Sequence, residues 1–214
     1  MKCMSEMMRL YAVTDRAWTK DTTLNRQVEE ALKGGVTCVQ LREKQLSDKD
    51  FLEEAIEIKK LCLKYNTPFI INDNVDIAMK CNADGIHVGQ NDMEAENVRC
   101  VIGSNKILGV SVQTVEQAIE AENKGADYLG VGAMFNTTTK DNAIDVTYDT
   151  LKEICSSVKI PVVAIGGINK NNIQELAGAG IDGVALVSAI FAADDIEEEC
   201  KLLRFMSDEI CQEN

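Results

Sequence analysis

Eight short apolar segments recur along this 214-residue chain, and stretches with helical periodicity separate them. Most of the segments are continuous apolar runs, which is typical of parallel strands that are covered on both faces. Eight strand–helix units in a chain of this length predict an α/β fold, the (β/α)8 TIM barrel. An open, doubly wound sheet is the alternative, but no G-x-G-x-x-G motif follows the first segment, which weakens its dinucleotide-binding form. The predicted strands are residues 9–14, 38–41, 68–71, 85–88, 106–110, 128–132, 161–165 and 183–187.

A glycine-containing pattern recurs between the predicted helices and the strands that follow them. It reads Ala83-Asp84-Gly85, Gly125-Ala126-Asp127 and Gly180-Ile181-Asp182, and Gly34-Gly35-Val36 lies at the equivalent place before the second strand. Glycine is common there because it tolerates the left-handed backbone that ends many helices. The recurrence indicates a repeated unit that no linker interrupts. We therefore expect a single domain over 1–214, with residues 1–7 as a loose N-terminal extension.

The charge and the cysteines limit the possible partners. Asp and Glu outnumber Lys and Arg by 35 to 22, giving a formal net charge of -13, which argues against nucleic-acid and membrane partners. The eight cysteines form no C-x-x-C pair, so we expect reduced thiols and a cytoplasmic protein. The one histidine, His87, excludes sites that need two histidine ligands, and we interpret it as a hydrogen-bonded core residue of the fourth strand. The sequence gives no oligomeric state.

Polar and charged residues follow the predicted strands, where the active sites of TIM barrels form. The cations Arg42, Lys44 and Lys140 stand out in so acidic a chain, and with nearby hydroxyls they indicate a phosphate or diphosphate ligand. Alternatively, Arg42 and Lys44 form surface ion pairs with Glu43 and neighbouring acids.

Two carboxylates, Asp73 and Asp92, follow successive strands and are expected to lie within reach of one ion. Two carboxylates together with phosphate oxygens make a typical Mg²⁺ site. The alternative is that each aspartate only caps the helix that follows it.

The glycines Gly166 and Gly167 come before a helix that we expect to begin at Asn169, and Ser188 begins another. The loops after the seventh and eighth strands are the common phosphate site of these barrels. Alternatively, the glycines only permit the turn.

The chain resembles thiamine phosphate synthases, (β/α)8 enzymes that join the two halves of thiamine. The resemblance runs from Leu10 to Ile190, nearly the whole predicted barrel. Its landmarks are Gln40-Leu41-Arg42-Glu43-Lys44, Ile71-Asn72-Asp73, His87-Val88-Gly89-Gln90-Asn91-Asp92, Gly109-Val110-Ser111, Thr137-Thr138-Thr139-Lys140 and Ala164-Ile165-Gly166-Gly167-Ile168.

The resemblance implies two small-molecule substrates, 4-amino-5-hydroxymethyl-2-methylpyrimidine diphosphate and a thiazole phosphate, and Mg²⁺ as cofactor. It implies loss of diphosphate to a pyrimidine methylene cation, which the thiazole nitrogen captures. By position, the pyrimidine diphosphate site comprises Gln40, Leu41, Arg42, Glu43, Lys44, Asn72, Ser111 and Lys140, with Arg42, Lys44, Ser111 and Lys140 as its catalytic members. Mg²⁺ is implied at Asp73 and Asp92, and the thiazole phosphate at Thr137, Thr138, Thr139, Gly167, Val187 and Ser188.

One departure from the family and three rival functions stay open. Asn136 stands where the family usually has proline, which would stiffen the loop. A related thiazole tautomerase shares the barrel but performs only proton transfer, and Gln113 is not a proton-transferring histidine. The other rivals are a non-catalytic phosphate-ligand sensor and a sugar-phosphate isomerase or Schiff-base aldolase.

Overall fold

Eight short strands alternate with helices along the chain. The computed structural model describes residues 4–19, 22–90, 92–136 and 146–212. Within these ranges the strands are β1 (Leu10–Val13), β2 (Cys38–Leu41), β3 (Phe69–Asn72), β4 (Gly85–Val88), β5 (Ile107–Val112), β6 (Tyr128–Val131), β7 (Val162–Ile165) and β8 (Gly183–Leu186). The α-helices are α1 (Leu24–Lys33), α2 (Asp48–Lys64), α3 (Val75–Lys80), α4 (Ala95–Ile102), α5 (Val115–Asn123), α6 (Tyr148–Ser157), α7 (Ser188–Phe191) and α8 (Ile196–Gln212). Short 3₁₀ helices cover Ser5–Met8, Arg16–Trp18 and Ile173–Leu176.

The strands close into a barrel in chain order. Each strand pairs in parallel with the next, and β8 pairs with β1 through Leu10 opposite Val184 and Ala12 opposite Leu186. The predicted TIM barrel is confirmed, and every predicted strand lies within two residues of the observed one. The prediction succeeds because parallel strands covered on both faces are continuous apolar runs.

Two apolar cores follow from the alternation of side chains along each strand. In β2, Val39 and Leu41 face the helices and belong to the outer core, whereas Cys38 faces the barrel interior. Gln40, two residues after Cys38, therefore faces the interior as well. No helix among the described residues is both long enough and apolar enough to cross a membrane.

The segment before β1 closes the N-terminal end of the barrel. Ser5–Met8 forms a 3₁₀ helix, and Met8 is fully buried in the interior cluster together with Tyr11 and Cys38. Residues 1–7 were expected to be a loose extension; of these, Ser5, Glu6 and Met7 belong to the 3₁₀ helix, and Met7 packs against the same cluster. The physical reason is that the open end of the barrel interior needs an apolar cover.

The recurring aspartates join neighbouring strands. Asp84, Asp127 and Asp182 each precede one strand and accept the backbone N–H at the start of the strand before it, at 2.9, 2.8 and 2.9 Å. The backbone N–H of each aspartate returns a bond to the carbonyl of the same partner residue. In the Gly34-Gly35 unit, Thr37 does the same for Leu10 through its hydroxyl, at 2.9 Å. The repeat in the sequence therefore corresponds to a repeated set of side-chain hydrogen bonds that fasten adjacent strands to each other.

We expect Asp182→Ala to lower the free energy of unfolding by about 1–3 kcal/mol, because the buried N–H of Val162 loses its acceptor. Urea denaturation measures the change. Asp194→Ala is the control, since Asp194 is exposed on the surface, and such a change is usually within about 0.5 kcal/mol. Equal stability of the two variants would contradict the fastening role.

The segment after β7 differs from its prediction. Asn169 was expected to cap a helix, but the first helical segment after it is the 3₁₀ helix Ile173–Leu176, which follows Asn172. The side-chain amides of Asn169 and Asn172 both donate to the carbonyl of Gly167, at 3.1 and 3.0 Å. These side chains therefore hold the glycine turn.

Candidate active site

The predicted site residues that the structure describes lie at the C-terminal ends of the strands. Strand alternation places Gln40 of β2, Asn72 of β3 and Ser111 of β5 on the inner surface, because Cys38, Ile70 and Ile107 of the same strands lie in the interior cluster. Gln40 is only 4% exposed, whereas Asn72 and Ser111 are half-buried. The site therefore has a deep amide floor and a more open rim.

A chain of hydrogen bonds crosses the barrel beneath that rim. Gln40 Nε2 donates to the Tyr11 hydroxyl at 2.8 Å, which lies 2.7 Å from the Tyr128 hydroxyl. The Tyr128 hydroxyl lies 2.9 Å from His87 Nδ1, and His87 Nε2 lies 2.9 Å from Ser111 Oγ. His87 is thus a hydrogen-bonded interior residue, as expected from the sequence. Sequence reasoning did not single out either tyrosine, although the period of two predicts that Tyr11 shares the inner face of β1 with Val13.

The two aspartates lie side by side, and neither caps a helix. Asp73 accepts a hydrogen bond from Lys44 Nζ at 2.7 Å, and Asp92 accepts one from the backbone N–H of Gly89 at 2.8 Å. Asn74, not Asp73, caps α3. The residue before α4 is Glu94, which makes no side-chain cap. The capping alternative is therefore wrong for both aspartates.

The electrostatics of this pair suit a cation. Burial raises the pKa of Asp73, but the hydrogen bonds from Lys44 and with Asp92 outweigh it and leave that pKa below its usual value. Burial and the neighbouring Asp73 carboxylate raise the pKa of Asp92, although the Gly89 N–H opposes them. The Asp73 carboxylate thus disfavours the ionisation of Asp92, and a divalent ion shared by the two would favour the charged form of both.

No third His, Cys, Asp or Glu completes a metal cluster among the described residues. Two carboxylates leave most of a coordination shell to water and ligand oxygens, which is how Mg²⁺ is commonly held. The donor set therefore fits Mg²⁺ better than a metal that needs a full protein cage.

Arg42 is oriented by residues at the end of β1. Its guanidinium Nη1 lies 3.2 Å from Asp15 Oδ2, and its backbone N–H donates to the buried Thr14 hydroxyl at 3.0 Å. Sequence reasoning did not include Asp15, although a polar residue directly after a strand was the signal that identified the other rim residues.

Two residues of the Gln40-Leu41-Arg42-Glu43-Lys44 segment face away from the inner surface. Leu41 is fully buried in the outer core against the helices. The Glu43 carboxylate accepts hydrogen bonds from Arg16, which also bonds Glu54, so Glu43 pairs with neither Arg42 nor Lys44. Burial, with Glu54 nearby, raises the pKa of Glu43 despite Arg16. A rim ligand would meet these two residues only through their main chains.

The glycine turn after β7 leaves no space for a side chain. Gly167 has φ +68°, and a Cβ there would lie 2.6 Å from the carbonyl oxygen of Asn136 and 2.7 Å from that of Phe135. Val187 is half-buried and precedes α7, whose first residue, Ser188, is exposed. The predicted ligands Thr137, Thr138, Thr139 and Lys140 lie outside the described residues.

Comparison with known proteins gives consistent matches across the barrel. The sequence model of the family described as thiamine monophosphate synthase matches residues 10–190. A protein of Clostridium tetani named thiamine-phosphate synthase is 53% identical over 91% of this chain and 93% of its own length. One of Enterococcus faecalis with the same name is 48% identical over 92% of each chain.

Solved structures agree with the fold. The thiamine phosphate pyrophosphorylase from Pyrococcus furiosus superposes with a TM-score of 0.89 at 39% identity, over 96% of this chain and 98% of that one. A second pyrophosphorylase, from Bacteroides thetaiotaomicron, has a TM-score of 0.68 at 18% identity over 94% and 98%, and it supports the fold alone. With these relatives and a family match over almost the entire barrel, the chain belongs to the thiamine monophosphate synthase family.

Proposed function

We propose that this chain is a thiamine phosphate synthase, a transferase that joins the pyrimidine methylene carbon to the thiazole nitrogen and releases diphosphate. The observation that carries the proposal is the Asp73–Asp92 carboxylate pair beside Lys44, above a buried amide, in a chain of this family. A deep polar floor suits a heterocycle, and a charged rim suits a diphosphate.

The pyrimidine half would bind inside the barrel mouth. Gln40 and Asn72 supply amide groups that can hydrogen-bond a ring nitrogen and an exocyclic amine. Arg42, Lys44 and Ser111 lie nearer the rim, where they can donate to the diphosphate oxygens. From the sequence alone, we assign Lys140 to the same diphosphate.

Asp73 and Asp92 would hold Mg²⁺, since adjacent carboxylates are the donor set that this ion prefers. When bound, Mg²⁺ would neutralise part of the negative charge on the departing diphosphate. Lys44 would also neutralise part of the charge on the diphosphate. Its ammonium group lies beside Asp73 and is half exposed to solvent, so a ligand at the rim can reach it.

The reaction needs no general base from this chain. The bond between the methylene carbon and the diphosphate oxygen breaks with both electrons leaving on the oxygen, while the ring amino group donates electron density to the resulting cation. The thiazole nitrogen lone pair then forms the new C–N bond. Arg42, Lys44 and Ser111 stabilise the leaving group, and the barrel mouth aligns the nucleophile and excludes water.

The thiazole phosphate would bind next to the diphosphate site. Gly167, Val187 and Ser188 lie at the ends of β7 and β8, the common phosphate position of these barrels. Thr137, Thr138 and Thr139 are assigned to the same phosphate from the sequence. Asn136 lacks the stiffness of proline, but the residue before it is held by a hydrogen bond: the backbone N–H of Phe135 donates to Gly166 O at 3.0 Å. The backbone on this side of the loop is therefore fixed without a proline.

We place the enzyme in the cytoplasm, with small-molecule substrates and neither nucleic acid nor a membrane as partner. The cysteines in the described part of the chain are free thiols, and Cys38, Cys62, Cys81 and Cys200 are buried. Buried free thiols suit a reducing compartment. The formal net charge of -13 supports the absence of polyanionic partners.

A two-substrate assay tests the proposed function. We expect diphosphate release only when the pyrimidine diphosphate, the thiazole phosphate and Mg²⁺ are all present, with at least a ~100-fold loss of rate in EDTA. Omitting each substrate in turn is the control. Proton exchange in the thiazole without diphosphate release, binding without product, or borohydride trapping of a lysine adduct would each replace the proposal with one of its rivals.

A further inference from the structure

Four hydrogen bonds inside the barrel join five side chains in series, which we call the interior relay: Gln40, Tyr11, Tyr128, His87 and Ser111. Its four successive donor–acceptor distances are 2.8, 2.7, 2.9 and 2.9 Å. The relay joins the buried amide to the rim hydroxyl through three side chains that have no part in the chemistry proposed above.

The relay has a direction, because each of its inner members carries one proton to donate. Gln40 donates its Nε2 hydrogen to Tyr11. The two tyrosine protons then both have acceptors within the relay when Tyr11 donates to Tyr128 and Tyr128 donates to His87 Nδ1. A neutral His87 then carries its proton on Nε2 and donates it to Ser111. The Ser111 proton is thereby left for an acceptor outside the relay.

Only one other arrangement both fills all four joints and gives the protons of Tyr11, Tyr128 and His87 acceptors within the relay. If the Gln40 amide turns so that Oε1 accepts from Tyr11, every hydrogen bond reverses, His87 becomes the Nδ1–H tautomer, and Ser111 donates inward. Any mixed arrangement leaves either one joint without a proper donor–acceptor pair or one hydroxyl proton pointing out of the relay. Either defect is costly where water cannot replace the missing bond.

Burial enforces this all-or-none behaviour. Tyr11 is 1% exposed and Tyr128 is fully buried. Burial, followed by the neighbouring Tyr128, raises the pKa of Tyr11 well above its usual value, so the hydroxyl keeps its proton. Gly109 and Gly130 have no side chains in the space that the rings of Tyr128 and His87, respectively, occupy. Both rings can therefore keep the positions in which their hydrogen bonds form.

We propose that the interior relay couples the two ends of the pyrimidine diphosphate site, with Tyr11, Tyr128 and His87 as positioning residues. An anionic phosphate oxygen that accepts the Ser111 proton selects the forward direction. That direction leaves Gln40 Oε1 to accept an N–H from the ring amine of the same ligand. The assignment of the ligand rests on the proposed function, whereas the coupling of Gln40 to Ser111 does not.

The single histidine makes the direction of the relay measurable. In protein with ¹⁵N-labelled histidine, the nitrogen shifts at a pH where the ring is neutral should report the Nε2–H tautomer of His87. When ionised, the carboxylate that Gln40→Glu introduces can only accept from Tyr11, so it should reverse the relay and change the ratio of the two tautomers by at least about tenfold. The double variant Q40E/Y128F should leave the ratio at the value of Y128F, because the link between Gln40 and the ring is cut.

Two further variants keep this test decisive. Tyr11→Phe cuts the relay but keeps the hydrogen bond between Tyr128 and His87, so Q40E/Y11F should show the tautomer ratio of Y11F itself. Tyr148→Phe is the matched control, since its hydroxyl donates to Ala177 O on the outside of the barrel, and it should retain the wild-type ratio. An unchanged ratio in folded Q40E, or an effect of Q40E that persists in the Y128F or Y11F background, would overturn the relay.

A binding measurement tests the coupling with ligands. By calorimetry in the presence of Mg²⁺, saturating inorganic diphosphate should tighten the binding of the unphosphorylated aminopyrimidine alcohol about tenfold in the wild type, which is within the usual range for coupled sites. In Y128F the tightening should fall below about twofold while both compounds still bind. Full tightening in Y128F overturns the coupling, whereas failure of both compounds to bind the wild type contradicts the proposed function and leaves the tautomer experiment to decide the relay.

Discussion

Asp73→Asn is expected to lower kcat about a thousandfold while leaving the fold intact. The substitution removes one of two adjacent carboxylates, and an interaction with the departing diphosphate is worth several kcal/mol in the transition state. Asparagine is the informative replacement because Asp73 has φ +61°, a left-handed conformation that asparagine also tolerates. A steady-state assay with both substrates at saturating Mg²⁺ measures the loss.

The stability of this variant separates a chemical effect from a structural one. Lys44 loses a charged partner, but it is half exposed, and pairs of this kind contribute only about 0–1 kcal/mol. Asp76→Asn is the control, because Asp76 is exposed in the first turn of α3 and should retain wild-type activity. Near wild-type kcat in D73N would show that Asp73 has no role in the reaction.

The barrel and most of its rim were predictable because their signals are local in the sequence. A parallel strand buried on both faces is a continuous apolar run, so the strand limits differ from the predictions by at most two residues. The rim follows from the rule that polar residues after parallel strands share one end of a barrel. Asp73 and Asp92 lie side by side for this reason.

The inner surface was less predictable because it depends on which residues meet across the barrel. Tyr11 and Tyr128 are 117 positions apart, and in the sequence each is an ordinary aromatic residue of an apolar strand. The side chain of Leu41 illustrates the same difficulty. A contiguous segment was assigned to the site, although the period of two in β2 already places Leu41 on the face opposite Gln40.

Glu43 was not predictable from its neighbours, because its partner is distant in the chain. Arg16 lies 27 residues before Glu43 and binds its carboxylate from the segment after β1. The Asn169 prediction failed for a related reason. Its side-chain amide has a closer acceptor, the carbonyl of Gly167, which no helix-capping pattern in the sequence reveals.

Gly109→Ala is expected to lower the free energy of unfolding by about 3 kcal/mol, the upper part of the usual range for overpacking a core. A Cβ at this position of β5 would overlap the Cζ, Oη and Cε1 atoms of Tyr128. The ring cannot withdraw, because its hydroxyl is held between Tyr11 and His87. For a chain of this size the expected fall in Tm is about 6–12 °C, which thermal and urea unfolding would measure.

A compensating substitution and a control isolate the steric cause. Tyr128→Leu removes the three overlapping atoms, so G109A/Y128L should be at least about 1 kcal/mol more stable than the sum of the two single changes predicts. Gly103→Ala is the control for replacing a glycine without a steric overlap, because Gly103 has φ +70° and open space around its Cα. Its free energy of unfolding should fall by about 1–2 kcal/mol from backbone strain alone. Additive changes in the double variant would mean that Gly109 is needed for a reason other than the space that Tyr128 occupies.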